Sequence, residues 1–200
     1  MKNLLILIMC LSIQLVGFTQ VLSNIDEVSQ LNENLIAIRN GNQWGFINAE
    51  GSIVIDFRDD FVLDIDETKP YPIFKDGRCL IKKSNGNQYL YGYIDMNGNE
   101  IIEPQYLNAS SFQDGYAIVI TLLKDTVGYN EVLKKCITRS KLEEYVIDTD
   151  GNTIKYLENP RNCIPSEVTL NQPPNFHSKF IGPRLIAVLK KDNKWDIYKF

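Results

Sequence analysis

The chain has a single histidine among its 200 residues, His177, so it offers one imidazole base and no histidine-built metal site. His177 lies in Pro173-Pro174-Asn175-Phe176-His177-Ser178-Lys179, a loop-forming stretch, and reads as a surface side chain. No Gly-x-Ser-x-Gly, His-Glu-x-x-His, phosphate loop or dinucleotide fingerprint occurs. The densest charged run is Asp56, Asp59, Asp60, Asp64, Asp66 and Glu67. Its carboxylates suit three readings. Asp59, Asp60, Asp64 and Asp66 are candidate oxygen ligands for Ca²⁺. Residues 56–67 can alternatively supply the acid and nucleophile of a polysaccharide hydrolase. The third reading is a solvated acidic loop, and no fixed ligand spacing favours the first two. Asp148-Thr149-Asp150-Gly151 places its glycine fourth, where an EF-hand loop needs it sixth. The chain therefore reads as having no catalytic residues and no cofactor.

Aromatic side chains are the other group with binding chemistry. Trp44, Phe46, Tyr91, Tyr93 and Trp195 form the candidate ligand-binding set, a stacking platform for sugars or extended peptides. The competing and simpler account makes these rings the core.

Four of these rings belong to a repeated stretch. Gln43-Trp44-Gly45-Phe46-Ile47-Asn48 is followed by Ala49-Glu50-Gly51 and the apolar run Ile53-Val54-Ile55. It returns as Tyr91-Gly92-Tyr93-Ile94-Asp95-Met96-Asn97-Gly98 before Ile101-Ile102, and in degraded form as Tyr145-Val146-Ile147-Asp148-Thr149-Asp150-Gly151 before Ile154. Strand alternation sets Trp44 and Phe46 on one face and Ile47 on the other, with Tyr91 and Tyr93 opposite Ile94. Asn or Asp opening the turn accepts a backbone N–H, and glycine closing it tolerates positive φ, so each copy reads as a β-hairpin. Gly45 and Gly92 lie inside strands, where a missing side chain marks close approach; a neighbouring aromatic ring is the expected occupant. Leu35 to Arg39 reads as the strand before the signature strand, with Asn40-Gly41 as the turn between them. Each unit is then three antiparallel strands. Ile25 to Asn34 echoes Tyr106 to Gly115, pairing Val28 with Ala109 and Leu31 with Phe112.

The pattern resembles the WG-repeat (KWG) family of bacterial proteins. Its units run roughly Phe-x-x-Gly-Leu-Ala-x-Val, a turn, Lys-Trp-Gly-Tyr-Ile-Asp, a turn, then Ile-x-Pro-x-Tyr. Here the unit openings are Leu31-x-x-Asn34, Phe74-Lys75-Asp76-Gly77 and Phe112-Gln113-Asp114-Gly115, and the closing motif survives as Ile102-Glu103-Pro104-Gln105-Tyr106. The resemblance covers most of residues 25–156 and returns at 185–200. It departs where Tyr145 replaces the strand glycine and where Asp196 follows Trp195. It implies a repeated β-meander and brings no established chemistry.

Residues 1–19 read as a secretory leader: Lys2 is the positive start, Leu4 to Val16 the apolar stretch, and Gly17 and Thr19 the small residues before cleavage. The apolar stretch is shorter than the ~20 residues of a membrane span, so no transmembrane anchor is expected. Net charge is −4, which speaks against nucleic-acid binding and general attraction to anionic membranes. Processing would leave Cys79, Cys136 and Cys163. Cys79 fills the slot held by Ala117 in the next unit and reads as a small buried hydrophobe. Cys136 and Cys163 flank the third hairpin and are the candidate disulfide, worth about 3–4 kcal/mol if unstrained.

The expected fold is all-β: an array of antiparallel three-stranded β-meander repeats, solenoid-like or partly closed like a propeller or barrel. Irregular insertions fall in the third repeat, where Lys124 to Leu142 make a long hairpin or loop carrying Lys134, Lys135, Arg139 and Lys141. The expected organisation is a leader at 1–19 and one domain at 20–200. Within it lie repeats at about 25–67, 68–106 and 107–156, an irregular linker at 157–184 and a closing hairpin at 185–200. The expected role is a secreted or periplasmic, non-enzymatic binding module of a bacterial cell envelope, with an envelope protein or glycan as partner. The alternatives are the hydrolase above and a structural protein that self-associates through strand edges.

Overall fold

The computed structural model describes residues 20–66, 69–163 and 172–200, all strand, turn or irregular, with no helix among them. The expected leader lies outside these residues. Four turns organise the rest. The N–H of Asn48 donates to Ser52 O at 3.0 Å, of Asp95 to Asn99 O at 2.9 Å, of Asp148 to Asn152 O at 3.0 Å and of Lys190 to Lys194 O at 2.8 Å. The fourth turn residue needs positive φ: Gly51, Gly98 and Gly151 stand at 82°, 85° and 84°, and Asn193 takes the place at 62°.

Each turn joins the second and third strands of a meander. The first sheet runs β1 (Glu27–Val28), β2 (Leu35–Asn40), β3 (Gln43–Asn48), β4 (Ile53–Arg58) in that order. A ribbon of β5 (Asp64–Asp66) and β6 (Lys69–Tyr71) leads into the second, β7 (Cys79–Asn85), β8 (Gln88–Ile94) and β9 (Glu100–Tyr106). The third comprises β10 (Asn108–Ala109), β11 (Tyr116–Asn130), β12 (Lys135–Asp148) and β13 (Thr153–Tyr156), with β14 (Arg161–Cys163) also on β12. The last is β15 (Ser178–Gly182), β16 (Leu185–Leu189) and β17 (Trp195–Lys199). All pairs are antiparallel and no sheet closes into a barrel. The echo between residues 25–34 and 106–115 is real in three dimensions: Val28 pairs with Ile38 as Ala109 pairs with Val119. Ser29 and Ser110 each accept a strand N–H through the hydroxyl, from Ala37 and Ile118.

Two boundaries differ from expectation. The stretch 157–184 contains β14 and β15, so the chain ends in a full fourth meander rather than a bare hairpin. Trp195 opens the third strand of that meander, after the turn, and is no counterpart of Trp44. The long segment of the third repeat is a two-stranded arm with one bulge between Thr126 and Gly128, and β11 and β12 are paired out to Asn130 and Lys135.

The core lies between consecutive meanders. Trp44, Phe46 and Ile55 of the first pack on Phe74, Cys79, Ile81 and Ile94 of the second. Tyr91, Tyr93 and Ile102 of the second pack on Phe112, Ala117, Val119 and Ile147 of the third. Ile118, Val146 and Leu157 meet Ile186 and Val188 of the fourth. Alternation explains the division: Tyr93 faces forward and Ile94 backward, and both are fully buried, whereas Ile47 in the first meander has no preceding unit among the described residues and is only partly buried. Phe46 meets Phe74 edge-on at 4.9 Å, and one unit along Tyr93 meets Phe112 at 4.7 Å.

The expected ring is found at Gly45, where a Cβ would lie 3.4 Å from the Phe57 ring, but at both glycines backbone lies closer. What crosses Gly45 and Gly92 is the backbone of the following strand. A Cβ on Gly45 would lie 2.9 Å from Ile55 O, and one on Gly92 would lie 2.6 Å from Pro104 N. At both glycines the pairing slips: Trp44 faces Arg58 while Phe46 faces Ile55, and Tyr91 faces Tyr106 while Tyr93 faces Ile102. Extra residues in β4 and β9 bulge into the space a side chain would fill. Where Tyr145 and Ala187 take the glycine's place the slip at that position is absent, although the β12–β13 ladder still shifts between Val146 and Ile147.

Candidate functional site: a cleft beside a buried carboxylate

Four of the five candidate aromatic residues are core. Trp44, Phe46, Tyr91 and Tyr93 are 7, 2, 7 and 0% exposed, so they offer no stacking surface. The Tyr93 hydroxyl donates to Ser110 O at 2.6 Å, and burial raises its pKa well above the ordinary tyrosine value. Trp195 alone is open to solvent, with the Lys179 ammonium 5.0 Å from its ring centre.

The acidic candidates are likewise engaged elsewhere. Asp60 accepts both forks of Arg58, at 2.6 and 2.7 Å, and Asp64 accepts Lys75 and Ser111 at 2.7 and 2.9 Å. Asp59 points to solvent, and the Asp66 side chain lies outside the described set. Among the described residues no group of three or more His, Cys, Asp or Glu converges for a metal. Arg58 and Lys75 thus engage two of the four candidate Ca²⁺ carboxylates.

No disulfide joins Cys136 to Cys163. Cys163 pairs with Ser140 on β12, four residues along from Cys136. At ~3.3 Å per residue that separation exceeds the roughly 7 Å Cα limit for a bridge. Cys79 is fully buried, as its slot implies, and burial pushes its thiol pKa up beyond ordinary reactivity.

The feature that sequence reasoning missed arises where the repeat pattern fails. Counting back from the turn, Glu144 occupies the station of Trp44 and Tyr91, and it is fully buried. Arg161 Nη2 donates to Glu144 Oε1 at 2.7 Å and the His177 N–H donates to the same oxygen at 2.8 Å. Ser178 Oγ donates to Oε2. A buried carboxylate survives only with such partners. Its signal in the sequence was a charge at an aromatic station, visible once the copies are aligned on their turns.

This network forms one wall of an open cleft of about 780 Å³ between the chain after β13 and the β16–β17 turn, lined by Asn159, Arg161, His177, Lys190, Lys194 and Asp196. Asn159 is only 9% exposed, yet both its Oδ1 and its Nδ2 lack a hydrogen-bond partner; Arg161 Nε is buried and unpartnered too. Burial, and then the charge of Arg161, hold His177 below the ordinary imidazole value, with Glu144 opposing them. The ring is therefore neutral at pH 7, with one donor and one acceptor nitrogen. Three unmatched polar atoms thus lie just under one wall of the cleft, each with less than 1 Å² of accessible surface.

A family model described as WG containing repeat matches residues 44–67 and 91–120. Two stretches of the chain thus match the WG repeat. The matched WG-repeat stretches hold the two glycine-crossed hairpins and the start of the third meander. The cleft is built beyond them, from units that have lost the WG-repeat glycine. No curated protein and no solved structure matches the chain.

Proposed function

We propose that this WG-repeat chain is an exported, non-enzymatic binding module of a bacterial cell envelope, and that it takes a glycan in the cleft at Asn159. The observation that carries this reading is the nine-tenths-buried Asn159 amide with neither polar atom paired. An unpaired buried amide costs roughly 1–3 kcal/mol, and a polar ligand that pairs it recovers that cost. The ligand reaches these buried atoms only as the cleft wall opens, and must then donate to Asn159 Oδ1 and accept from Asn159 Nδ2 and Arg161 Nε. Neighbouring sugar hydroxyls do both, because each is donor and acceptor at once. The leader-like residues 1–19 support export, and the envelope is rich in such glycans.

The test is calorimetric titration of residues 20–200, which contain every described core residue, with oligosaccharides released from envelope preparations. Saturable binding, weakened 10-fold or more in Asn159→Leu, supports the reading, tenfold being about 1.4 kcal/mol. Absence of binding across the panel, or equal binding by Asn159→Leu, overturns it.

A further inference from the structure

The β11–β12 arm has no part in the cleft. Among the described residues, from Leu123 and Lys141 outward its two strands pair only with each other, apart from the Lys141–Asn162 and Ser140–Cys163 pairs at its base, so it extends by roughly 25 Å at ~3.3 Å per residue. Its tip is Asn130-Glu131-Val132-Leu133-Lys134-Lys135. Asn130 Oδ1 accepts the Leu133 N–H at 2.9 Å, a side-chain clasp that fixes the turn. The turn so fixed holds Val132 and Leu133 outward, 91 and 65% exposed. Val127, Tyr129 and Ile137 behind them are about half exposed. Between 123 and 141 the arm carries Lys124, Lys134, Lys135, Arg139 and Lys141 against Asp125 and Glu131, on a chain whose net charge is −4. Only one of these cations, Lys141, has an ion-pair partner on the arm, Asp125 at 2.9 Å.

We infer that the arm tip is a membrane-surface anchor: Val132 and Leu133 enter the interfacial region of an anionic bilayer while Lys134, Lys135 and Arg139 meet its headgroups. Two aliphatic side chains held in water at the end of a stiff ribbon gain by leaving it. Basic residues directly beside them select an anionic surface, each adding attraction that salt screens. The acidic charge of the remaining chain keeps the body off such a surface, so contact is confined to the tip. This refines the whole-chain charge argument, which speaks against general but not local attraction.

Residues 20–200 are sedimented with vesicles of phosphatidylcholine alone and of phosphatidylcholine with 30–50% phosphatidylglycerol. Binding is expected to the anionic vesicles only, to fall at least tenfold in Val132→Asp/Leu133→Asp and in Lys134→Glu/Lys135→Glu, and to weaken with salt. Asn159→Leu, remote from the arm, is expected to sediment as wild type, which separates this inference from the glycan reading. Failure to bind anionic vesicles, or equal binding by the Val132→Asp/Leu133→Asp variant, overturns it. Capture of an envelope protein that depends on Val132, without vesicle binding, overturns it in favour of a protein contact. Both altered pairs are solvent-exposed, and an unchanged circular dichroism spectrum identifies folded variants.

Discussion

Gly92 lies directly beneath Pro104: a Cβ at Gly92 would stand 2.6 Å from Pro104 N and 2.8 Å from the Glu103 carbonyl carbon. Backbone cannot swing aside as a side chain does, so Gly92→Ala must open the β9 bulge. We expect a loss of about 3 kcal/mol, at the upper end of overpacking costs. Gly45→Ala, whose nearest backbone atom is 2.9 Å away, should lose about 1–2 kcal/mol. Gly128→Ala, with nothing closer than 3.8 Å, should stay within about 0.5 kcal/mol. Urea denaturation of the three variants checks the order. Equal stability of Gly92→Ala and wild type would remove the crossing-backbone account.

Glu144 and Asn159 sit close together and should respond in opposite directions. Glu144→Ala leaves the Arg161 guanidinium and the Ser178 hydroxyl without their acceptor and opens space, for a loss of about 3–5 kcal/mol. Asn159→Leu replaces an unpaired buried amide with an apolar group of similar size and should gain about 1 kcal/mol. Thermal denaturation measures both. A stabilising change that abolishes binding is the signature of a residue kept for a ligand.

Acid should loosen the WG-repeat turns. Burial alone would raise the Asp95 and Asp148 carboxyls slightly. Hydrogen bonds from Asn99 and Asn97, and from Asn152 and Asp150, outweigh that and hold both below 3.8. A carboxyl lowered by folding contributes stability that is complete above its unfolded value and disappears as pH falls through the folded one. Urea midpoints are therefore expected to drop below about pH 4. Asp95→Asn/Asp148→Asn should show a smaller drop over that range than wild type. An unchanged pH profile in the double variant would contradict the assignment.

Much of the fold was legible because its periods are short. The aromatic-Gly-aromatic stretch, the Asp/Asn-x-x-Gly turns and the period of two specify hairpins, and the structure has them at the expected residues. Trp44 and Tyr91 were legible as apolar but not as buried or exposed, because that depends on which face the next meander covers. The identity of what crosses Gly45 was not legible either: a bulge is a mismatch between two strands, and neither strand's sequence states it. The fourth meander was legible only as its hairpin at 185–200, because its first strand, Ser178–Gly182, follows a proline-bearing stretch with no repeat signature. The cleft was hidden, since Glu144 becomes conspicuous only against the Trp44 and Tyr91 stations.

Thiol chemistry separates Cys79, Cys136 and Cys163. Exposed Cys136 should alkylate within minutes under native conditions, while Cys79, fully buried, should resist until the chain unfolds. Non-reducing peptide mapping should recover no Cys136–Cys163 cross-link. Recovery of that cross-linked peptide would mean that β14 does not lie on β12 as described.

The glycan reading is tested most directly by the side-chain resonances of Asn159 in ¹⁵N-labelled residues 20–200, followed as envelope oligosaccharide is added. The account predicts that the Asn159 NH₂ pair and the Arg161 Nε–H shift together and saturably, ahead of signals from the arm. Shifts that spare both groups while others move, or no shift at all, would contradict it.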